Sequence, residues 1–130
     1  MTVFGKTAVR ATEMQCRGAC DSPRIAWTEA VKSETKSINM RSKVCPRSAY
    51  LGLCEYGLVK GVPRGEYLKK SSEKLNKKHA VDAVTKLRKT PELKNKPMKL
   101  WRLVIPEPKQ HDGQMHVVTA LWKSGLIRSA

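Results

Sequence analysis

The chain has 130 residues, 40% of them hydrophobic and 28% charged, a composition typical of a single globular domain and too apolar for a disordered chain. Its 26 Lys and Arg against 11 Asp and Glu give a formal net charge of +15, which favours polyanionic partners. The sequence lacks the run of about 18 apolar residues that a membrane-spanning helix needs, and its first residues do not resemble a signal peptide. We therefore expect a cytoplasmic protein whose four cysteines remain thiols and which has no membrane partner.

Two amphipathic helices are predicted near the N-terminus. The apolar spacing of residues 3–17 indicates a helix that ends near Gly18. A second helix begins at Ser22 and Pro23, because serine is a favoured N-cap and proline is tolerated in the first turn. The two helices predict a helical hairpin, and the polar stretch 36–44 that follows predicts a connection.

Residues 45–62, CPRSAYLGLCEYGLVKGV, predict a helix with recognisable ends. Pro46 suits a first turn. Gly57 suits the left-handed position that terminates many helices, with Leu58 folding back onto the last turn. The glycine and proline content of residues 60–67 predicts a loop.

Residues 73–89 carry the clearest helical pattern. At about 100° per residue, Ala80, Ala83, Val84 and Leu87 share one face, and the opposite face carries Lys74, Lys77, Lys78, Arg88 and Lys89. Pro91 ends this helix, because the residue before a proline avoids the helical conformation. Residues 98–105 suit either a helix or a strand, and we predict a helix because no partner strand is evident elsewhere.

The last predicted helix lies between Asp112, a candidate N-cap, and Gly125, a candidate terminator. The pattern L-x-x-x-G-L-[VI]-[KR] occurs at 53–60 and again at 121–128. Two helices that use the same glycine cap explain this echo, and an old duplication is the alternative. We predict one all-α domain, residues 1–130, of five or six helices.

The four cysteines lack the spacing of a metal site. Structural zinc sites draw on two closely spaced pairs, and Cys16 and Cys20 form such a pair whereas Cys45 and Cys54 do not. Cys54 falls on an apolar helix face, where a thiol acts as a small hydrophobic group. Cys45 lies at a predicted helix start, where the helix dipole favours a reactive thiolate. We predict no metal and no cofactor, and Cys45 is the one candidate reactive thiol.

No catalytic constellation is evident in the sequence. His79, His111 and His116 do not have the spacing of a metal-binding motif, and no phosphate-binding glycine loop, nucleophile elbow or carboxylate pair occurs. His79 and His116 are expected to flank helix faces. The chain is therefore predicted not to be an enzyme.

The positive charge is concentrated in residues 71–110, which carry 11 basic and 4 acidic side chains, a net charge of +7. Such a surface can track phosphate groups, and an exposed Trp101 could stack on a base, although its neighbours Leu100 and Val104 favour a core position. Because lysine contacts phosphate as a point charge, we expect little sequence specificity. The predicted nucleic-acid-binding residues, which we call the lysine surface, are Lys74, Lys77, Lys78, Lys86, Arg88, Lys89, Lys94, Lys96, Lys99 and Arg102.

The same charge also suits a protein-interaction module or an inhibitor that binds an acidic protein, and a lysine-rich helix face can serve solubility alone. Nothing in the sequence indicates an oligomeric state. Nucleic acid and an acidic protein therefore remain the two expected classes of partner.

Two blocks of the sequence resemble a family of small, uncharacterised bacterial proteins. The first block, C-P-[KR]-x-A-[FY]-L-G-L-C-E-x-G-L-V-K-G, corresponds to residues 45–61. The second, G-Q-M-x-V-V-x-A-L-W-x-x-G-L-I, corresponds to residues 113–127. The resemblance implies a bacterial origin, with a mobile element as one source, and no established activity. It assigns no catalytic or binding residue.

Overall fold

The computed structural model describes residues 1–107 and 110–129. The α-helices in this part of the chain are α1 (Val3–Cys16), α2 (Pro23–Glu34), α3 (Ile38–Arg41), α4 (Val44–Tyr56), α5 (Lys74–Lys89), α6 (Pro97–Val104) and α7 (Gln114–Lys123). Two short 3-10 helices, Ser71–Glu73 and Pro91–Asn95, precede and follow α5. Apart from the four-residue α3, six helices make up the fold, and the all-α prediction is confirmed.

Helices α1 and α2 pack against each other as the predicted hairpin. The hydroxyl of Thr2 accepts the N–H of Gly5 at 3.2 Å and caps α1. The hydroxyl of Ser22 accepts the N–H of Ile25 at 3.3 Å and caps α2, as its position before a proline predicts. The stretch 36–44, predicted to be a connection only, contains the short helix α3.

Helix α4 lies at the centre of the molecule and packs against α2, α5 and α7. It begins at Val44, so Pro46 is its third residue rather than its opening one. At Gly52 the helix approaches α5 so closely that a Cβ placed there would lie only 2.6 Å from the Cα of Lys77. The absence of a side chain at this residue therefore sets how near the two helices come.

A single cluster of buried side chains forms the core. The rings of Trp27 and Tyr50 lie with their centroids 5.4 Å apart. The buried hydroxyl of Tyr50 is hydrogen-bonded to Thr12 and to Gln15 of α1, each at 2.8 Å. In the described residues, no helix is both long enough and apolar enough to cross a bilayer.

Helices α4 and α7 end in the same way, as their shared sequence pattern predicts. Gly57 and Gly125 adopt left-handed φ angles of 84° and 71°. The next residues, Leu58 and Leu126, each donate their N–H to the carbonyl five residues earlier, at 3.0 and 2.9 Å. This arrangement closes both helices with a hydrophobic residue folded back on the last turn. The shared glycine cap explains the echo.

The two segments that follow these caps lie side by side. Val59 and Ile127 form an isolated antiparallel bridge. Lys60 and Arg128 donate their N–H groups to the opposite segment at 2.9 and 2.8 Å. The guanidinium of Arg128 also donates to the carbonyls of Val59 and Val62, at 3.1 and 3.0 Å. The end of α7 is therefore fastened to the end of α4.

The start of α7 differs from the prediction. Asp112 does not cap the helix; Gly113, with a φ of 95°, is the residue before α7 and supplies no side chain. The Nε2 atom of His111 instead accepts the N–H of Met115 at 2.9 Å. The left-handed turn at Gly113 brings His111 rather than Asp112 to the start of the helix. The carboxylate of Asp112 is instead paired with Lys43 at 3.5 Å.

Candidate polyanion-binding surface

The structure leaves most of the lysine surface open to solvent. Nine of its ten residues are exposed, and Lys77 is partly buried. Lys77 pairs with Glu55 and Lys78 pairs with Asp82, each at 2.7 Å. Within the described part of the chain, the other eight form no ion pair. Their charge is therefore not neutralised by neighbouring carboxylates.

The helical spacing divides this surface into two sides. On α5, Lys77 and Arg88 face α4 and the C-terminal segment, since Lys77 contacts Glu55 and Arg88 donates to the carbonyl of Arg128 at 2.9 Å. Lys86 lies on the other side of α5. His79 lies on the same side of α5 as Lys86, and its ring packs against Trp101 of α6. The remaining members are Lys74 and Lys78 in the first half of α5, and Lys89, Lys94, Lys96, Lys99 and Arg102 on and after its end.

Lys77 belongs less to the solvent-facing surface than the sequence predicts. Its ammonium donates to Glu55, which also accepts the N–H groups of Tyr67 and Leu68 at 2.9 and 3.0 Å. Partial burial by itself raises the pKa of Glu55, but these hydrogen bonds outweigh it and lower that pKa below its ordinary value. The pair fastens the loop that follows α4 to the two central helices.

Trp101 occupies the core position that its neighbours Leu100 and Val104 favour, so its ring is not available to stack on a base. Its side chain is 2% exposed, because α6 turns it inward against α5 and α7. The ring lies 5.2 Å from the ring of His79 and 5.3 Å from that of His111, measured between centroids. Trp101 is a core residue.

The aromatic ring exposed beside the lysine surface is that of Tyr56, the last residue of α4, which is 46% exposed. The guanidinium of Arg64 lies 5.4 Å from the ring centroid and is held by two hydrogen bonds to the Tyr56 carbonyl, at 3.2 and 3.0 Å. The ammonium of Lys77 lies 5.9 Å from the same centroid. An open cavity of about 300 Å³ adjoins the ring and is lined by Tyr56, Lys74, Lys77, Lys78, Val81 and Asp82.

Sequence reasoning missed Tyr56 and Arg64. The local sequence signal for an exposed Tyr56 is its position directly before Gly57, because side chains at the end of a helix are often exposed to solvent. Arg64 lies in the loop that follows, and only the folded chain brings its guanidinium onto the ring.

A second cavity, of about 370 Å³, lies near the other end of α5. Its lining residues are Arg88, Trp122, Ile127, Arg128 and Ser129. Trp122 is partly exposed, whereas the Arg128 guanidinium is occupied by backbone carbonyls. Lys77 and Arg88 lie on one side of α5 by helical spacing, so the two cavities adjoin the same side of this helix.

The imidazole rings of His111 and His116 lie with their centroids 4.9 Å apart. Among the described residues, no cluster of three or more His, Cys, Asp or Glu side chains could hold a metal ion. Cys54 is fully buried, and burial raises the pKa of its thiol well above the ordinary range. Cys45 is the second residue of α4 and is partly buried, while Cys16 is exposed. His79 is buried in the core rather than at a helix edge.

These features define a small, basic, all-helical protein with an exposed cationic surface. The chain matches the model of a family of unknown function, DUF6979, over residues 1–128, and it belongs to that family. No curated protein and no solved structure matches it. Membership agrees with the resemblance of residues 45–61 and 113–127 to an uncharacterised family; a bacterial and mobile-element origin stays a prediction.

Proposed function

We propose that the protein is a cytoplasmic nucleic-acid-binding protein that contacts phosphate groups through the lysine surface with little sequence specificity. The observation that carries this proposal is the set of eight exposed cations on and after α5 that are in no ion pair with a described residue. An unpaired surface ammonium loses little when it meets a phosphate, because no carboxylate must first be displaced.

The chemistry of these side chains supports phosphate contact rather than base recognition. The lysine surface contains eight lysines and two arginines. A lysine ammonium attracts a phosphate from any direction, whereas reading a guanine edge requires the planar guanidinium of arginine. Each phosphate neutralised releases counterions, so binding should weaken steeply as salt increases, with a log–log slope of about −0.7 per contact on single strands and about −0.9 on duplex DNA.

The first test compares labelled single-stranded and duplex oligonucleotides, of DNA and of RNA, by fluorescence anisotropy at about 50 and 200 mM salt. The variant Lys86→Gln, Lys94→Gln, Lys99→Gln removes three exposed charges from α5 to α6. Its salt slope should be shallower by about 2 to 3, because each removed phosphate contact contributes about 0.7 to 0.9. The absence of measurable binding at the lower salt would overturn the proposal.

A control variant with the same change in net charge removes three exposed lysines that lie outside the lysine surface. Lys6, Lys32 and Lys36 lie in or just after α1 and α2, which pack against each other and against α4 and α7. Their conversion to glutamine changes the net charge by the same amount as the first triple variant and should leave most of the salt dependence of binding unchanged. An equal loss in both triple variants would mean that net charge alone attracts the ligand.

The acidic-protein alternative is tested with polyglutamate as the probe. It carries negative charge on a peptide backbone without phosphates or bases. If polyglutamate binds the protein more tightly than oligonucleotides of equal charge at the same salt, the result contradicts the nucleic-acid proposal and favours an acidic protein partner.

A further inference from the structure

The cavity beside Tyr56 combines a flat apolar wall with a cationic rim. The Tyr56 ring and the side chain of Val81 supply apolar surface, and the aliphatic stems of the lining lysines extend it. Its volume of about 300 Å³ is in the range of small-ligand sites. A planar group can therefore lie against the ring.

Arg64 contacts the Tyr56 ring without lining the cavity. Its guanidinium is fixed near the ring by its two hydrogen bonds to the Tyr56 carbonyl. Arg64 is not among the residues that line the cavity. The guanidinium therefore does not occupy the cavity, whereas Lys77, whose ammonium lies 5.9 Å from the ring centroid, forms part of the cavity wall.

The rim favours an anionic ligand. Three lysines and one carboxylate, Asp82, line the cavity, and Asp82 is already paired with Lys78 at 2.7 Å. Lys77 is held by Glu55, so its position is set by the fold. Lys74 is exposed and makes no ion pair with any described residue, which leaves it available to a phosphate at the mouth of the cavity.

We propose that the Tyr56 cavity is a stacking subsite for one unpaired base of a single-stranded nucleic acid, with Lys74 contacting the adjacent phosphate. This inference rests on the proposed nucleic-acid-binding function. A base within a duplex is stacked on both faces and cannot enter the cavity, so the subsite gives the protein a preference for single strands. Every base has a flat face, and the subsite therefore adds affinity with little sequence preference.

The test compares a short oligothymidylate with an abasic oligonucleotide of the same length and the same number of phosphates. The wild-type protein should bind the oligothymidylate more tightly, by about 5- to 150-fold, the range expected for one base on one aromatic ring. Tyr56→Ala should remove this difference, because no ring remains for the base to stack on. Tyr56→Phe should preserve it, because the ring rather than the hydroxyl makes the contact.

The outcomes separate this inference from the proposed function. Equal affinity of the wild-type protein for the two strands would overturn the stacking subsite, while salt-dependent binding of both would leave phosphate contact in place. A loss of discrimination in Tyr56→Phe would also overturn stacking. Failure to bind either strand at low salt would overturn the proposed function and the subsite with it. Circular dichroism of each variant verifies that its overall helix content matches that of the wild type.

Discussion

Replacing Gly52 with alanine tests the central contact of the fold. A Cβ at this residue would lie 2.5 Å from the Cβ and 2.6 Å from the Cα of Lys77, whereas ordinary contacts of this kind begin at 3.4 Å. Because one of these two atoms belongs to the backbone, a rotation of the Lys77 side chain cannot relieve the overlap. Helices α4 and α5 must move apart by about 0.9 Å, the difference between 3.4 and 2.5 Å.

Two effects of Gly52→Ala oppose each other. Alanine favours the helical conformation over glycine by about 1 kcal/mol. Overpacking of a well-packed core typically costs about 1–3 kcal/mol, and here it affects the whole contact between two central helices. Backbone overlap of this depth should place the cost at or above the upper end of that range. We therefore expect the free energy of unfolding to fall by about 2 kcal/mol or more.

Urea unfolding monitored by tryptophan fluorescence measures this change, since Trp27 and Trp101 are buried. Gly18→Ala is the control for a glycine without neighbours: it has a φ of 75° and no atom within 4 Å of the added Cβ. It should lose only the cost of the left-handed conformation, about 1–2 kcal/mol. A Gly52→Ala protein as stable as the wild type would refute the close approach of α4 to α5.

Two further predictions concern titratable groups. Burial, with a smaller effect of His116, lowers the pKa of His111 from 6.5 to about 4. Between pH 6.5 and pH 4 the unfolded chain binds more protons at His111 than the folded chain does, so acid favours unfolding. The free energy of unfolding should therefore fall by about 1–2 kcal/mol as the pH decreases from 7 to 5, after allowance for partial exposure. Urea unfolding at both pH values measures this change, and His111→Gln should reduce the dependence of stability on pH. Alkylation followed by mass spectrometry should label exposed Cys16 in the native protein and buried Cys54 only in denaturant.

Each of these has a clear contrary result. A wild-type protein equally stable at pH 7 and pH 5 would show that folding does not lower the pKa of His111. It would also contradict the role of the neutral imidazole as acceptor of the Met115 N–H. Labelling of Cys54 in native buffer at the rate of Cys16 would show that α4 opens far more readily than a central helix should.

The signals that predicted the fold correctly are local. Three such signals are Ser22 followed by proline, Gly57 followed by leucine, and the apolar spacing of residues 73–89. Each depends on residues within one or two helical turns, where the backbone N–H and C=O groups at a helix end either find a hydrogen-bond partner or do not. Such signals appear in the order of the residues themselves. They predicted most of the helices and the two matching caps before any tertiary contact was known.

The signals for the candidate site are only partly local. The sequence by itself determined the strong positive charge and its concentration in residues 71–110, because charge is a property of composition. It also assigned Lys86 and Lys99 to the phosphate-contacting set, and both are exposed, since a lysine seldom enters a core without a partner. The exposure of these side chains follows from that rule.

Only the tertiary structure decided which aromatic side chain is buried and which lysine is paired. The apolar spacing that predicts a helix at residues 98–105 suits either an exposed or a buried Trp101, and the packing of α6 onto α5 and α7 buries it. Lys77 is paired because Gly52 lets α4 approach until Glu55 reaches its ammonium. Burial and pairing depend on residues far apart in sequence, and local spacing carries no information about their distance.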